Sequence, residues 1–154
     1  MRPEGKIVLD DFDKRIIEQL QQDGRRPYTQ IAPAVGLSEA AVRQRVQRLI
    51  DSGVTQIVAV TDPRMIGFGR QAMIGLSVEG DTRKIADAVA ALDEVIYVVL
   101  TAGSLDLLVE VVVEDDEHLL ALLNNKIRTI DGVRDTETFM YLRIHKETYA
   151  WGAP

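Results

Sequence analysis

The sequence predicts an α+β chain of two domains, a helical N-terminal third and a β-α-β-β-α-β remainder. Three observations predict it. Apolar residues recur at helical spacing as far as about residue 51, and beyond it they fall mostly into strand-length runs broken by two helical stretches. The chain has 154 residues and no cysteine, and a chain of that length buries roughly 70% of the surface it would expose unfolded, so its cores need no disulfide or metal staple. Charge is also divided unevenly: residues 1–62 hold nine Lys/Arg and nine Asp/Glu, whereas residues 63–154 hold nine against fifteen and carry the whole net charge of −6. Two domains with different partners account for that asymmetry. The boundaries read as a helical domain at 1–62, a linker at 63–69, a β-α-β-β-α-β domain at 70–147 and a tail at 148–154.

In the N-terminal third, residues 10–23 predict a helix with Asp10 as N-cap and Asp13 at the capping-box position. Phe12, Ile16, Ile17 and Leu20 form its inward stripe, and Asp23-Gly24 stops it. A short second helix follows over Thr29–Val35 with Ile31, Ala32 and Val35 inward. Pro33 lies inside it, removing an amide and crowding the carbonyl four residues back at a cost of up to ~3 kcal/mol, so this helix is expected to be short or distorted. Gly36-Leu37-Ser38 is a turn ending in an N-cap serine, and Glu39–Asp51 is a third helix burying Val42, Val46, Leu49 and Ile50. Val54–Thr61 has the composition of a strand and is expected to form a wing beside the helices.

Helix, glycine-containing turn and helix with an Arg/Gln-rich outer face together make a winged helix-turn-helix that enters the major groove of double-stranded DNA. Ala40 and Ala41 let the last helix approach closely, Gln44 and Gln47 offer the forked amides that read adenine, and Arg43, Arg45 and Arg48 offer guanine readers and phosphate contacts. Within residues 25–48 five arginines stand against one acid, Glu39. A plain solvated helix face has a similar composition, because Arg and Gln are good helix formers.

In the remainder, Ala72, Ile74, Leu76 and Val78 alternate as a strand, and Gly80-Asp81-Thr82 caps a helix to about Leu92. Val95–Thr101 and Asp106–Val113 are apolar runs joined by Ala102-Gly103-Ser104-Leu105, which predicts a hairpin. Asp115 and Asp116 open a further helix reaching Asp131-Gly132, and Val133–Ile144 is the last strand, with Thr136, Thr138, Met140 and Leu142 on one face. The order is the ferredoxin-like split βαβ. Two helices cover one face of a four-stranded sheet, yet the central runs are apolar at both parities, so a second copy is expected on the other face.

The sequence points away from enzymes. It has only two histidines, His118 beside Asp115, Asp116 and Glu117 at a helix start and His145 near the last strand, and neither has converging metal ligands in sequence. It lacks the nucleophile elbow, the P-loop and the dinucleotide-binding glycines. No catalytic residue, cofactor or metal is expected. Trp151 reads as a packing or interface aromatic. No apolar run approaches the ~20 residues of a membrane helix, and Met1–Lys6 is followed by no signal-peptide core, so a cytoplasmic protein is expected.

Three segments, LDDFDKRIIEQLQQDGR, VGLSEAAVRQRVQRLIDSGV and DPRMIGF, resemble in order the N-terminal part of the Lrp/AsnC family of feast–famine transcription regulators. TAGSLDLLVEV resembles that family's Gly-x-x-Asp turn and DGVRDTETFMYL its last strand, so the resemblance covers roughly residues 9–147. It implies a regulator that binds DNA as a dimer, or as an octamer or other assembly of dimers, and senses an amino acid or related small molecule between sensor domains. It places Ser38, Arg43, Gln44, Arg45, Gln47 and Arg48 on the recognition helix and Arg26 just before the second helix. It lines the effector pocket with Gly103, Ser104, Leu105 and Asp106, and with Thr136 and Thr138 of a neighbouring subunit. Asp106 would pair an α-ammonium group, while turn amides and threonine hydroxyls would take a carboxylate. A plain hairpin would use the same residues differently, Gly103 for a positive φ and Asp106 for capping, with ordinary strand threonines. Departures from the family pattern are Leu105 where an aromatic is common, Ile57 where glycine is frequent, and Pro33 and Thr55. The alternatives are a sirohaem-decarboxylase-like tetrapyrrole enzyme, which resembles the family in both domains, and an oligomeric ligand-binding module without DNA function.

Overall fold

A computed structural model describes residues 8–154; Met1–Lys6, read above for a leader, lie outside the described residues. The chain forms two compact units, one running up to Val60 and taking in Lys146–Pro154, the other spanning Thr61–His145.

The first unit holds helices α1 (Asp11–Gln22), α2 (Tyr28–Val35) and α3 (Glu39–Asp51). The capping box of α1 is reciprocal: the Asp10 carboxylate accepts the Asp13 amide at 2.8 Å, and the Asp13 carboxylate accepts the Asp10 amide at 3.2 Å. Ile16, Ile17, Leu20, Ile31, Val35, Val42, Val46 and Leu49 close one core. Two residues expected in it stand further out. Phe12 is 38% exposed, with the Arg45 guanidinium over its ring 5.5 Å from the ring centre, and Ile50 is 36% exposed.

Pro33 does sit inside α2, which is short at eight residues. The proline ring is on the exposed side, and the helix ends three residues later where Gly36, at φ 80°, lets the Gly36 and Leu37 amides return to the Ala32 carbonyl at 2.9 and 3.0 Å. The lost amide therefore removes one bond from a helix already near its end.

The expected wing strand is not formed. Residues 55–62 join no ladder, and Ile57, Val58 and Val60 are 44–68% exposed. β-branched composition raises strand propensity but supplies no neighbour, and among the described residues of this unit there is no strand to pair with. The C-terminal tail instead completes the unit. Gln21 grips Gly152 with both ends of its amide, accepting the Gly152 N–H at 2.9 Å and donating to the Gly152 carbonyl at 3.3 Å, while Ala153 packs on the core. Trp151 beside it is 75% exposed.

The second unit opens with a 3-10 turn at Pro63–Ile66, inside the stretch read as a linker. Strands β1 (Arg70–Val78), β2 (Val95–Leu100), β3 (Leu107–Val113) and β4 (Val133–Met140) alternate with helices α4 (Thr82–Ala90) and α5 (Asp116–Leu122). The sheet order is β2-β3-β1-β4 with every neighbouring pair antiparallel, as the split βαβ pattern requires. Ile74 pairs with Val109 and Thr138, and Leu76 with Leu107 and Thr136, so these side chains share a face. That face packs on Ile85, Ala86 and Val89 of α4 and on Leu119 and Leu122 of α5. Gln71, Met73, Gly75, Ser77, Leu108, Glu110, Glu137 and Phe139 have the opposite parity and carry neither helix.

Two boundaries differ from the sequence pattern. The last strand ends at Met140, opposite Ala72, instead of at Ile144, although β1 itself begins at Arg70; one bond beyond, from Tyr141 N–H to the Gln71 carbonyl at 3.0 Å, closes the ladder. The helix after Asp115 passes into a π turn at Leu123–Ile127, with the Arg128 amide on the Leu123 carbonyl at 2.9 Å. Buried residues at 119, 122, 123 and 127 fit a regular helix equally well, so periodicity alone does not reveal the turn.

Candidate nucleic-acid interface and sensor turn

Helix α3 is presented by its cap. Ser38 Oγ accepts the Ala41 amide at 3.2 Å, which fixes the first turn and leaves its O–H free to donate. Arg43 is exposed, pairs with Glu39 at 2.7 Å and lies over the Tyr28 ring, 5.1 Å from its centre. Gln47 donates to Asp51 at 2.7 Å. Gln44 is exposed and makes no hydrogen bond among the described residues. Gln44, Arg45 and Arg48 line one cleft of about 380 Å³. Arg26 does not join it, since its guanidinium donates to Gln19 of α1.

The arginines of that cleft are not free. Asp13 is fully buried, and its two oxygens take Arg45 at 2.8 Å and Arg48 at 2.5 Å. Arg45 also bonds Asp10 at 2.7 Å, and its side chain is 26% exposed against 50% for Arg48. The Asp13 amide and the Arg45 guanidinium hold the Asp10 carboxyl below its usual range, and Asp10 and Asp13 together raise Arg45 above its own. Sequence reasoning gave Asp13 a capping role only. Its place on the same helical stripe as Ile16, Ile17 and Leu20 was the available signal that it is buried and needs a cation.

The turn expected to line an effector pocket runs between β2 and β3. Its ends are tied: Thr101 N–H donates to the Asp106 carbonyl at 2.9 Å, Asp106 N–H to the Leu76 carbonyl at 2.8 Å, and Thr101 Oγ1 to the Leu105 carbonyl. Asp106 Oδ2 accepts the Val78 amide at 2.8 Å, so one carboxylate oxygen caps the end of β1, while Oδ1 makes no hydrogen bond among the described residues. Gly103 lies outside the left-handed region, and a Cβ there would meet nothing within 4 Å, so neither φ nor packing within the chain demands glycine. Ser104 is exposed. Leu105 is half-buried against β1, where a Cβ on Gly75 would lie 2.3 Å from its Cδ1. Thr136 and Thr138 are half-buried on the helix side of β4, and Arg128 donates to Thr136 Oγ1 at 2.9 and 3.0 Å.

His118 belongs to a different cluster. Its Nε2 lies 3.2 Å from Glu94 Oε1, which also receives Lys126 at 2.6 Å. Burial raises the Glu94 carboxyl, but Lys126, the Glu94 backbone amide and His118 outweigh it and bring it down to about 2. Among the described residues no three His, Cys, Asp or Glu side chains come together as metal ligands, and no helix is long and apolar enough to cross a membrane.

Comparison with known proteins matches both units. The family model for the AsnC-type helix-turn-helix domain covers residues 9–50, and that for the Lrp/AsnC ligand binding domain covers residues 71–151. The chain is a member of the Lrp/AsnC family. This Lrp/AsnC protein is a DNA-binding transcription regulator and not an enzyme. It is 36% identical over 143 residues to the HTH-type transcriptional regulator FL11 of Pyrococcus furiosus, covering 92% of this chain and 94% of that one. Among solved structures it is similar to E. coli AsnC, with TM-score 0.81, 26% identity and coverage of 92% and 97%. It is also similar to the transcriptional regulator NMB0573 of Neisseria meningitidis in complex with L-Met, with TM-score 0.83, 26% identity and coverage of 93% and 96%.

Proposed function

We propose that this Lrp/AsnC regulator reads DNA with α3 and that an amino acid or related small molecule, bound at the sensor turn between sensor units, modulates its assembly and DNA affinity. Arg43, Gln44, Gln47 and Arg48 lie on the exposed side of α3 and supply groove contacts, with Ser38 fixing the start of the helix. Arg26 and Arg45 are bonded to α1 side chains or its cap and set the helix in place. Two such helices in a dimer address half-sites ~34 Å apart or a multiple of it. The helix-free sheet face, with Met73, Leu108, Tyr97 and Phe139, is the surface for a second copy, and dimers associate further into an octamer or similar assembly.

The observation that carries the effector assignment is the sensor turn. Gly103 has no conformational or steric need for glycine within the chain, which fits a backbone approached closely by something outside it. Asp106 keeps one oxygen for an ammonium group while the other anchors the turn to β1. The L-Met bound in the Neisseria relative supports an amino acid as the class of ligand. Thr136 and Thr138 of a neighbouring subunit supply the hydroxyls at the far side.

The test is fluorescence anisotropy on a duplex selected by the protein from a random pool, with and without L-Met and then the remaining amino acids. Coupling of this kind is worth ~1–3 kcal/mol, so affinity shifts of about 5- to 150-fold are expected. Asp106→Asn keeps an acceptor for Val78 and should abolish the shift while leaving unliganded DNA binding intact. A response equal to wild type would refute the pocket.

A further inference from the structure

We propose that Asp13 is a positioning residue for DNA recognition: from beneath α3 it holds Arg48 by one edge beside Gln44, and together with Asp10 it withholds Arg45 from the phosphates. This rests on α3 being the reading helix. Three observations carry it. First, Asp13 is completely buried, and a buried carboxylate stands only with charged, hydrogen-bonded partners, so its hold on the two arginines is obligatory for the folded domain. Second, the two arginines are held differently. Arg45 meets Asp10, Asp13 and the Phe12 ring and is largely enclosed, whereas Arg48 spends one nitrogen on Asp13 and leaves half its side chain open in the cleft shared with Gln44. Third, the capping box that ties Asp13 to Asp10 fixes both carboxylates to the first turn of α1, so the geometry of the reading side chain is set by a helix outside the groove.

A guanidinium has five N–H donors in a rigid fork. Holding one of them leaves the others in a fixed plane, which is what a bidentate base contact needs, and removes the rotamer freedom that would let the same side chain fall onto any nearby phosphate. Arginines released from Asp13 would bind DNA more strongly and less selectively.

The experiment compares wild type, Asp13→Asn, Arg48→Lys and Glu18→Gln as full-length chains on the selected duplex and on a scrambled one, across a series of salt concentrations. Glu18→Gln makes the same charge change on α1 outside the cluster and corrects for general electrostatics. Asp13→Asn is expected to bind scrambled DNA several-fold more tightly than Glu18→Gln does. Its salt dependence should steepen by about one unit of log K per log salt, the value for one added phosphate contact, and its preference for the selected duplex should fall about tenfold. Equal weakening on both duplexes with an unchanged salt slope would make Asp13 a scaffold residue only and overturn the proposal. Should Asp13→Asn not fold, Arg48→Lys decides: it keeps the charge but loses the fork, so the preference should fall with the salt slope unchanged, and a wild-type preference would overturn the proposal. Failure of wild type itself to prefer the selected duplex would instead remove the reading-helix assignment on which this rests.

Discussion

Gly75 ties the sheet to the sensor turn, and replacing it tests that tie directly. Gly75 sits mid-strand, in register with Leu108 on one side and Glu137 on the other. A Cβ there would lie 2.3 Å from Leu105 Cδ1 and 3.2 Å from Leu105 Cγ and Cδ2. Ordinary carbon contacts are about 3.5–4.0 Å, so Cδ1 has to move by roughly 1.2 Å or more. The turn backbone cannot follow easily, since Thr101, Leu105 and Asp106 are hydrogen-bonded to one another and to Leu76. Leu105 must therefore rotate off the sheet. Overpacking of this kind costs ~1–3 kcal/mol, offset by ~0.5–1 kcal/mol for removing a glycine from a strand, so Gly75→Ala should destabilise by about 1 kcal/mol. With Leu105→Ala in place the clash is gone and Gly75→Ala should become neutral or slightly stabilising. A double-mutant cycle by urea unfolding should then give a coupling of about 1–3 kcal/mol. Gly75→Ala alone should also change the response to the effector, because the displaced leucine forms part of the turn. An equal cost in both backgrounds would refute the contact and assign the glycine to the approach of a second copy on this face.

Two further outcomes are expected. Glu94, brought from 4.5 to about 2 in the fold, stabilises the sensor unit above the ordinary carboxylate range, and that contribution drains away as pH falls from about 4.5 towards 2; the full shift corresponds to about 3 kcal/mol as an upper bound. Wild type minus Glu94→Gln, measured by urea unfolding at pH 6 and at pH 3, should therefore shrink in acid, and a constant difference would contradict the ionised carboxylate held by Lys126 and His118. Gln21→Ala removes both bonds to Gly152; at about 1 kcal/mol per bond, about 2 kcal/mol for the pair, the tail should open up to roughly thirtyfold more often, so trypsin should cleave after the exposed Lys146 correspondingly faster, and an unchanged rate would mean that Ala153 packing alone holds the tail.

The elements that local chemistry determines were legible in the sequence. Asp10, Ser38, Asp81 and Asp115 each cap a helix through a side-chain oxygen on the amide two or three residues on, and each was placed from the residue type and the apolar stripe behind it. The β2–β3 hairpin followed from two apolar runs about a short turn. What failed was whatever depends on a distant partner. Val54–Thr61 has strand composition but, among the described residues of its unit, no strand beside it, and the last strand leaves β1 at Met140, four residues before its own pattern ends. The tail carries no periodicity at all, and its place is set by one amide on α1, which could have paired with water equally well, and by Ala153 on the core.

The same distinction governs the site. Counting five arginines against one acid over residues 25–48 picks out the segment proposed to face DNA, but the count treats charge as a property of sequence neighbours. In the fold, Arg45 and Arg48 answer to Asp13, 32 and 35 residues away, and Arg43 answers to Glu39 one turn back. Three of the five cations are thus already paired with carboxylates before any phosphate arrives. Such a surface gains less from counterion release than its arginine count suggests, and it concentrates what remains in a few oriented donors. An acidic chain that must find particular sites on a polyanion benefits from that arrangement, because every loosely held cation would strengthen binding to all sequences alike, whereas a held one strengthens binding only where the base edge matches its geometry.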